Sequence, residues 1–108
     1  AAFEVSIELS WHAGPPSVMN DPQWIEFALN TASAVGFETQ LVEASPIGED
    51  FAFYQQKIPG VFIMIGSGGP YALHHPKFKI DDTVLFPSAY YLFRLAEGYL
   101  QSVSTSQD

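Results

Sequence analysis

The strongest constraint on the chain lies in residues 3–11. Phe3, Val5, Ile7, Leu9 and Trp11 alternate with Glu4, Ser6, Glu8 and Ser10. Period-two alternation predicts a strand with one apolar and one wet face, as in an antiparallel sheet. His12-Ala13-Gly14-Pro15-Pro16 ends it, because consecutive prolines cannot feed a central ladder. One strand is not a domain: its backbone groups and its apolar face need partners. Partners for residues 3–11 are hard to find in the rest of the sequence. The chain therefore reads as a piece of something larger.

The remainder has a different style, with Pro15-Pro16 as the seam. Asn20-Asp21-Pro22 predicts a helix start, a capping side chain followed by proline at the first helical position. Trp24, Phe27, Ala28, Thr31 and Val35 recur at helical spacing, and Gly36 suits the stop. Thr39 to Val42 suits a short strand, and Ser45 to Gly48 a loop. Residues 49–57 predict a short helix with Glu49 and Asp50 in the first turn, where the helix dipole favours them. Pro59-Gly60 breaks it. Val61 to Ile65 is a continuous apolar run, expected of a strand covered on both faces. An irregular loop follows over 66–80. Asp81-Asp82-Thr83 caps a last helix running to about residue 102, with Leu92, Leu95, Ala96, Tyr99 and Leu100 on its apolar stripe. Pro87 fits that helix only near its start. Trp11 and Trp24 are expected in the core. The predicted class is α/β.

Composition narrows the function classes. A chain of 108 residues fits one small domain, and 47% hydrophobic with 15% aromatic content indicates a folded one. Four basic against twelve acidic side chains give a net charge of −8. That argues against nucleic acid and anionic membranes, which need clustered Lys and Arg. No apolar run approaches the roughly 18 residues of a membrane span. With no secretory segment in view, the expected compartment is the cytoplasm. Cysteine is absent, which excludes a disulfide scaffold, a thiolate metal site and a cysteine nucleophile within these residues.

His74, in Leu73-His74-His75-Pro76-Lys77-Phe78, is a histidine of metal-ligand type on a loop beside a strand end. A lone histidine is more commonly a surface or hydrogen-bonded residue. His75 does not extend the site, since adjacent side chains in extended backbone point to opposite sides. A catalytic zinc takes about three protein ligands and a water. His12, Glu49, Asp50, Asp81 and Asp82 complete no recognised spacing with His74. Glu49 and Asp50 suit helix-start electrostatics; the other roles open to them are general acid or base, or orienting a ligand from outside the first coordination sphere. The loop Gly66-Ser67-Gly68-Gly69-Pro70 is an ordinary turn or a set of N–H groups facing a carboxylate. It is not a phosphate loop, because no Gly-Lys-Ser/Thr follows. Ser67 lacks the nucleophile-elbow pattern.

Taken in order, several motifs resemble one family. They are Gly14-Pro15-Pro16-Ser17-Val18-Met19-Asn20-Asp21, Gly48-Glu49-Asp50-Phe51-Ala52-Phe53-Tyr54, Ile58-Pro59-Gly60-Val61-Phe62 and Leu73-His74-His75-Pro76-Lys77-Phe78 with Asp81-Asp82. The chain resembles the C-terminal end of the metal-dependent amidohydrolases that include aminoacylases, hippurate hydrolases, auxin-conjugate hydrolases and N-acetyldiaminopimelate deacetylases (peptidase family M-twenty). The resemblance implies an α/β catalytic domain carrying a smaller α+β lid domain that often mediates dimerisation. Residues 1–20 would be the last lid strand and its exit, and 21–108 the C-terminal part of the catalytic domain. The family holds two divalent metals, zinc or manganese, that activate a water against an amide carbonyl. The first histidine of its Leu-His-x-Pro motif is a metal ligand and maps onto His74. His75 falls at the variable position. Glu49 and Asp50 match a motif near the site, with no direct catalytic step carried over.

The other metal ligands and the general-base glutamate of the family match no stretch of this chain. No catalytic residue is therefore expected within it, no tightly bound metal, and no hydrolysis by it alone. The resemblance implies a parent that is a cytoplasmic amidohydrolase, a homodimer where the lid domain mediates dimerisation, and that cleaves N-acyl amino acids or related small amides. Its partner here would be the N-terminal remainder. The alternative is a non-catalytic binding or interaction module that retains the fold.

Overall fold

Asn20-Asp21-Pro22 starts a helix as the sequence predicts. In the computed structural model, which describes residues 3–106, helix α1 spans Pro22–Ala34. The Asp21 carboxylate accepts the N–H groups of Gln23 and Trp24 at 3.0 and 3.2 Å, so two otherwise orphaned donors are satisfied. Gly36, at φ +100°, turns the chain out of the helix. The Gly36 N–H reaches the Ser33 carbonyl, and the Phe37 N–H the Ala32 carbonyl, both at 3.0 Å, a Schellman closure. Helix α2 is shorter than predicted, Phe51–Gln55. Asp50 is its N-cap and Glu49 precedes it, so neither occupies the first turn. A 3-10 turn at Asp82–Val84 then leads into helix α3, Leu85–Thr105, which runs three residues past its expected end and holds Pro87 in its first turn.

Helices α1 and α3 pack together. The Tyr91 hydroxyl of α3 donates to the Ala28 carbonyl of α1 at 2.8 Å, inside the packed region. Trp24 meets Phe27 and Tyr99 with ring centroids 5.5 Å from each, and Phe37 meets Tyr91 edge-on at 5.8 Å. Gly98 permits the close approach: a Cβ there would lie 3.0 Å from the Phe27 ring. Trp24 is thus part of the packing, as expected, whereas Trp11 is 87% exposed.

The predicted strands do not pair. Among the described residues no ladder is formed, and residues 3–11, Thr39 to Val42 and Val61 to Ile65 run without strand partners. The α/β expectation is therefore met only in its helices. The physical reason is the one that the alternation of residues 3–11 implies: ladder hydrogen bonds need a second strand. Phe3, Ile7, Leu9 and Trp11 remain 87% exposed. Among the described residues only Ala28, Ala32, Ala52 and Tyr91 are buried apolar residues. The accessible surface is 9567 Å², whereas a folded monomer of this mass exposes about 5,900 Å².

One polar network orders the middle of the chain. Asn20 Oδ1 accepts the Phe62 N–H at 2.7 Å, and Asn20 Nδ2 donates to the Phe62 carbonyl at 3.1 Å. Gln55 of α2 donates from Nε2 to Asn20 Oδ1 and to the Gly60 carbonyl, both at 3.1 Å, and accepts the Met19 N–H at 2.9 Å. The Asp21 N–H also donates to the Gly60 carbonyl at 3.1 Å. The entry to α1, the end of α2 and the extended run after Gly60 are thereby fixed together.

Two outcomes follow for stability. Asn20→Ala leaves both Phe62 backbone groups without their partner and should cost about 2 kcal/mol in urea denaturation. Burial pushes the Tyr91 hydroxyl above its ordinary pKa of 10.0. The folded state keeps that proton to higher pH than the unfolded state. The stabilisation is therefore complete below about pH 10 and is lost as pH rises through the folded value. Tyr91→Phe should cost about 1 kcal/mol at neutral pH through the missing bond to Ala28. It should also flatten the alkaline fall in the urea midpoint; an unchanged fall would assign it to other groups.

Candidate functional site

His74 stands midway along a loop whose base is closed. The Asp81 N–H donates to the Ser67 carbonyl at 2.8 Å. Gly68 and Gly69 make that closure possible. Gly68 has φ +73°, and a Cβ there would lie 2.9 Å from the Asp81 Cβ. A Cβ on Gly69 would lie 2.6 Å from the Lys79 carbonyl oxygen. Gly68 and Gly69 thus serve close approach, whereas a Cβ on Gly66 would meet nothing, and the Gly69 N–H already contacts Ser67 Oγ at 3.4 Å. The Asp81 carboxylate accepts the Thr83 hydroxyl at 2.6 Å and the Thr83 N–H at 2.9 Å. The hydroxyl first, then the backbone N–H, holds its pKa below the ordinary carboxylate value.

Two consecutive turns carry the histidines. The His75 N–H donates to the Ala72 carbonyl at 3.1 Å, and the Phe78 N–H to the His75 carbonyl at 2.9 Å. His74 is the third residue of the first turn and has φ 69°, the left-handed region that a type II turn demands there. Pro76 is the second residue of the second turn, where its fixed φ is favoured. His75 Nδ1 accepts the Lys77 N–H at 3.0 Å, and its ring stacks on Tyr71 with centroids 4.6 Å apart and planes within 11°. The His74 side chain is exposed and has no hydrogen-bond partner among the described residues, which leaves its nitrogen lone pair available.

Glu49 and Asp50 sit beside the start of α2 and outside the first turn that the sequence predicts for them. Glu49 Oε1 accepts the Phe51 N–H at 3.3 Å, and Asp50 makes no side-chain cap bond. Among the described residues no group of three His, Asp or Glu side chains converges as a metal site. The described residues thus do not form a metal centre by themselves. The open groove lined by Met19, Asp21, Gln55, Gln56, Lys57 and Ile58 includes none of the expected site residues. Sequence reasoning missed Asn20, Gln55 and Tyr71 as organisers. Asn20 stands in the sequence as part of a helix start and of the Gly14 to Asp21 motif, and its contact with Phe62 bridges 42 positions.

The comparisons with known proteins agree with the motifs. The model of peptidase family M20/M25/M40 matches residues 3–98. An N-acetylcysteine deacetylase of Bacillus subtilis is 38% identical over 103 residues, which cover 95% of this chain and 27% of that protein. An N-acetyl-L-cysteine deacetylase of the same organism is 35% identical over 99% of this chain and 26% of its own length. An N-acetyldiaminopimelate deacetylase of Streptococcus sanguinis is 44% identical over 48 residues, 43% of this chain and 13% of the relative. The chain spans about a quarter of the length of the first two relatives. No solved structure matches it. No helix among the described residues is long and apolar enough to cross a membrane. A match over residues 3–98, with relatives that are deacetylases, establishes that the chain belongs to peptidase family M20/M25/M40.

Proposed function

We propose that these residues are the C-terminal part of a metal-dependent amidohydrolase that cleaves N-acyl amino acids or related small amides. The observation that carries the reading is the likeness, over 95% of the chain, to a deacetylase of which that match covers only 27%. Residues 1–20 belong to the end of an inserted lid domain and 21–108 to the catalytic domain. The lid makes a homodimer the expected assembly, and the cytoplasm is the expected compartment. When bound, two divalent ions, zinc or manganese, would activate a water and polarise the amide carbonyl.

This chain contributes one ligand through the His74 imidazole. It contributes no general base, and that role falls to the N-terminal remainder. The 66–69 segment borders the loop that carries His74, and the backbone N–H groups of Gly66, Ser67 and Gly68, which have no partner among the described residues, suit a substrate carboxylate. Glu49 and Asp50 set the start of α2 near the site and take no proton in the reaction. The second reading is a binding module that keeps the fold without the chemistry. What favours it is that His74 has no companion ligands among the described residues.

The test uses both lengths of protein. In the full-length enzyme, His74→Ala should lower kcat/KM for an N-acetyl amino acid by at least about 100-fold and lower the bound metal. The 108-residue chain, supplied with zinc or manganese, should hydrolyse nothing. Robust hydrolysis by that chain alone would overturn the assignment, and wild-type metal content in His74→Ala would remove His74 from it.

A further inference from the structure

We propose that His75 is a positioning residue for His74. It holds the left-handed turn at His74 by accepting the Lys77 N–H on Nδ1 and by stacking on Tyr71. This inference rests on the proposed role of His74 as a metal ligand.

The argument begins with backbone conformation. A histidine at φ 69° is disfavoured, because its Cβ crowds the following peptide. Glycine would relieve that crowding, and glycine has no imidazole. The conformation must therefore be imposed by neighbouring contacts. His75 is the last residue of the turn that contains His74 and the first residue of the turn that follows. It is the hinge of both. The first position of such a turn favours Asp, Asn or Ser, whose side chains accept the N–H two residues on. His75 Nδ1 does the same to Lys77 at 3.0 Å. In the neutral ring this places the proton on Nε2. The Tyr71 ring, stacked at 4.6 Å on the other side of the turn, stops the imidazole from swinging away. Tyr71 and Lys77 thus flank the His74 turn and are joined through one side chain.

Three substitutions separate the parts of this device. His75→Asn keeps an acceptor at the reach of Nδ1 and loses most of the stacking. His75→Phe keeps the ring and loses the acceptor. His75→Ala loses both. Each is made in the full-length enzyme, with His74→Ala as reference. The readout is zinc retained, by mass spectrometry, after equilibration against graded dipicolinate, with the urea midpoint of the metal-free protein measured in parallel.

His75→Ala should release zinc at about tenfold lower chelator, and His75→Phe should fall on the same side. His75→Asn should hold zinc close to the unaltered protein. The metal-free urea midpoints of the three should agree with one another, which a general loss of folding would not produce. If His74→Ala releases zinc and His75→Ala does not, the positioning role is wrong and the ligand role stands. If Ala and Asn at position 75 are equally impaired, the acceptor is not the device and the proposal fails. If His74→Ala retains zinc, the ligand reading fails and this inference falls with it.

Discussion

The carboxamide of Asn20 is the contact on which the rest of the arrangement depends. It meets both backbone groups of Phe62, donor to acceptor and acceptor to donor. A neighbouring strand would use its own peptide groups for this. A side chain does it here, one residue before the cap of α1. Gln55 then ties the same oxygen to the end of α2. Three segments that local propensity would leave independent acquire one relative placement. The extended run after Gly60 inherits its direction from this contact, and that run delivers the Gly66 to Gly69 segment and the His74 loop.

The same contact defines what remains open. In extended backbone, the N–H and C=O of one residue face one edge, and those of its neighbours face the other. Phe62 turns its groups to Asn20. The backbone groups of Val61, Ile63 and Ile65 have no backbone partner among the described residues. Leu92, Phe93 and Leu100 of α3 are more than half exposed. These features have one physical origin. An apolar run such as 61–65 is stable as a strand only between strands and beneath helices. The chain spans about a quarter of the length of the deacetylases it matches, which is in keeping with cover supplied from elsewhere under the proposed reading.

What was legible in the sequence divides along that line. Features set by contacts within a few residues were readable. Asp21 before Pro22 gave the start of α1, Gly36 its end, and Asp81-Asp82-Thr83 the approach to α3. The alternation of residues 3–11 was equally readable as a pattern, and so was its demand for partners. The ladder itself was not obtainable, because no segment of the chain supplies the second strand. The length of α2 was overestimated because Glu49 and Asp50 look like first-turn residues. Glu49 instead accepts the Phe51 N–H from outside the helix. Long-range polar contacts left no periodic signal: nothing in the spacing of Asn20 and Phe62 marks them as partners. The motif around His74 pointed to its role through resemblance, whereas its left-handed backbone and the Tyr71–His75 stack required the coordinates.

The distribution of order within the chain bears on how the His74 loop is built. Among the described residues four apolar side chains are buried, far too few to position that loop through packing alone. His74 is instead placed by short-range devices: the Ser67–Asp81 closure, two abutting turns and one side-chain acceptor. Such contacts span few residues, so the loop entropy they must overcome is small. They persist without the sheet, whereas strand pairing does not. A loop organised in this way can be formed before the larger core assembles around it. Under the proposed reading, the rest of a longer enzyme would supply the position of this loop and would not need to supply the geometry of the turn itself. On that account the His74 turns and strand pairing are separable in energy although adjacent in sequence, and Asn20 is the joint between them.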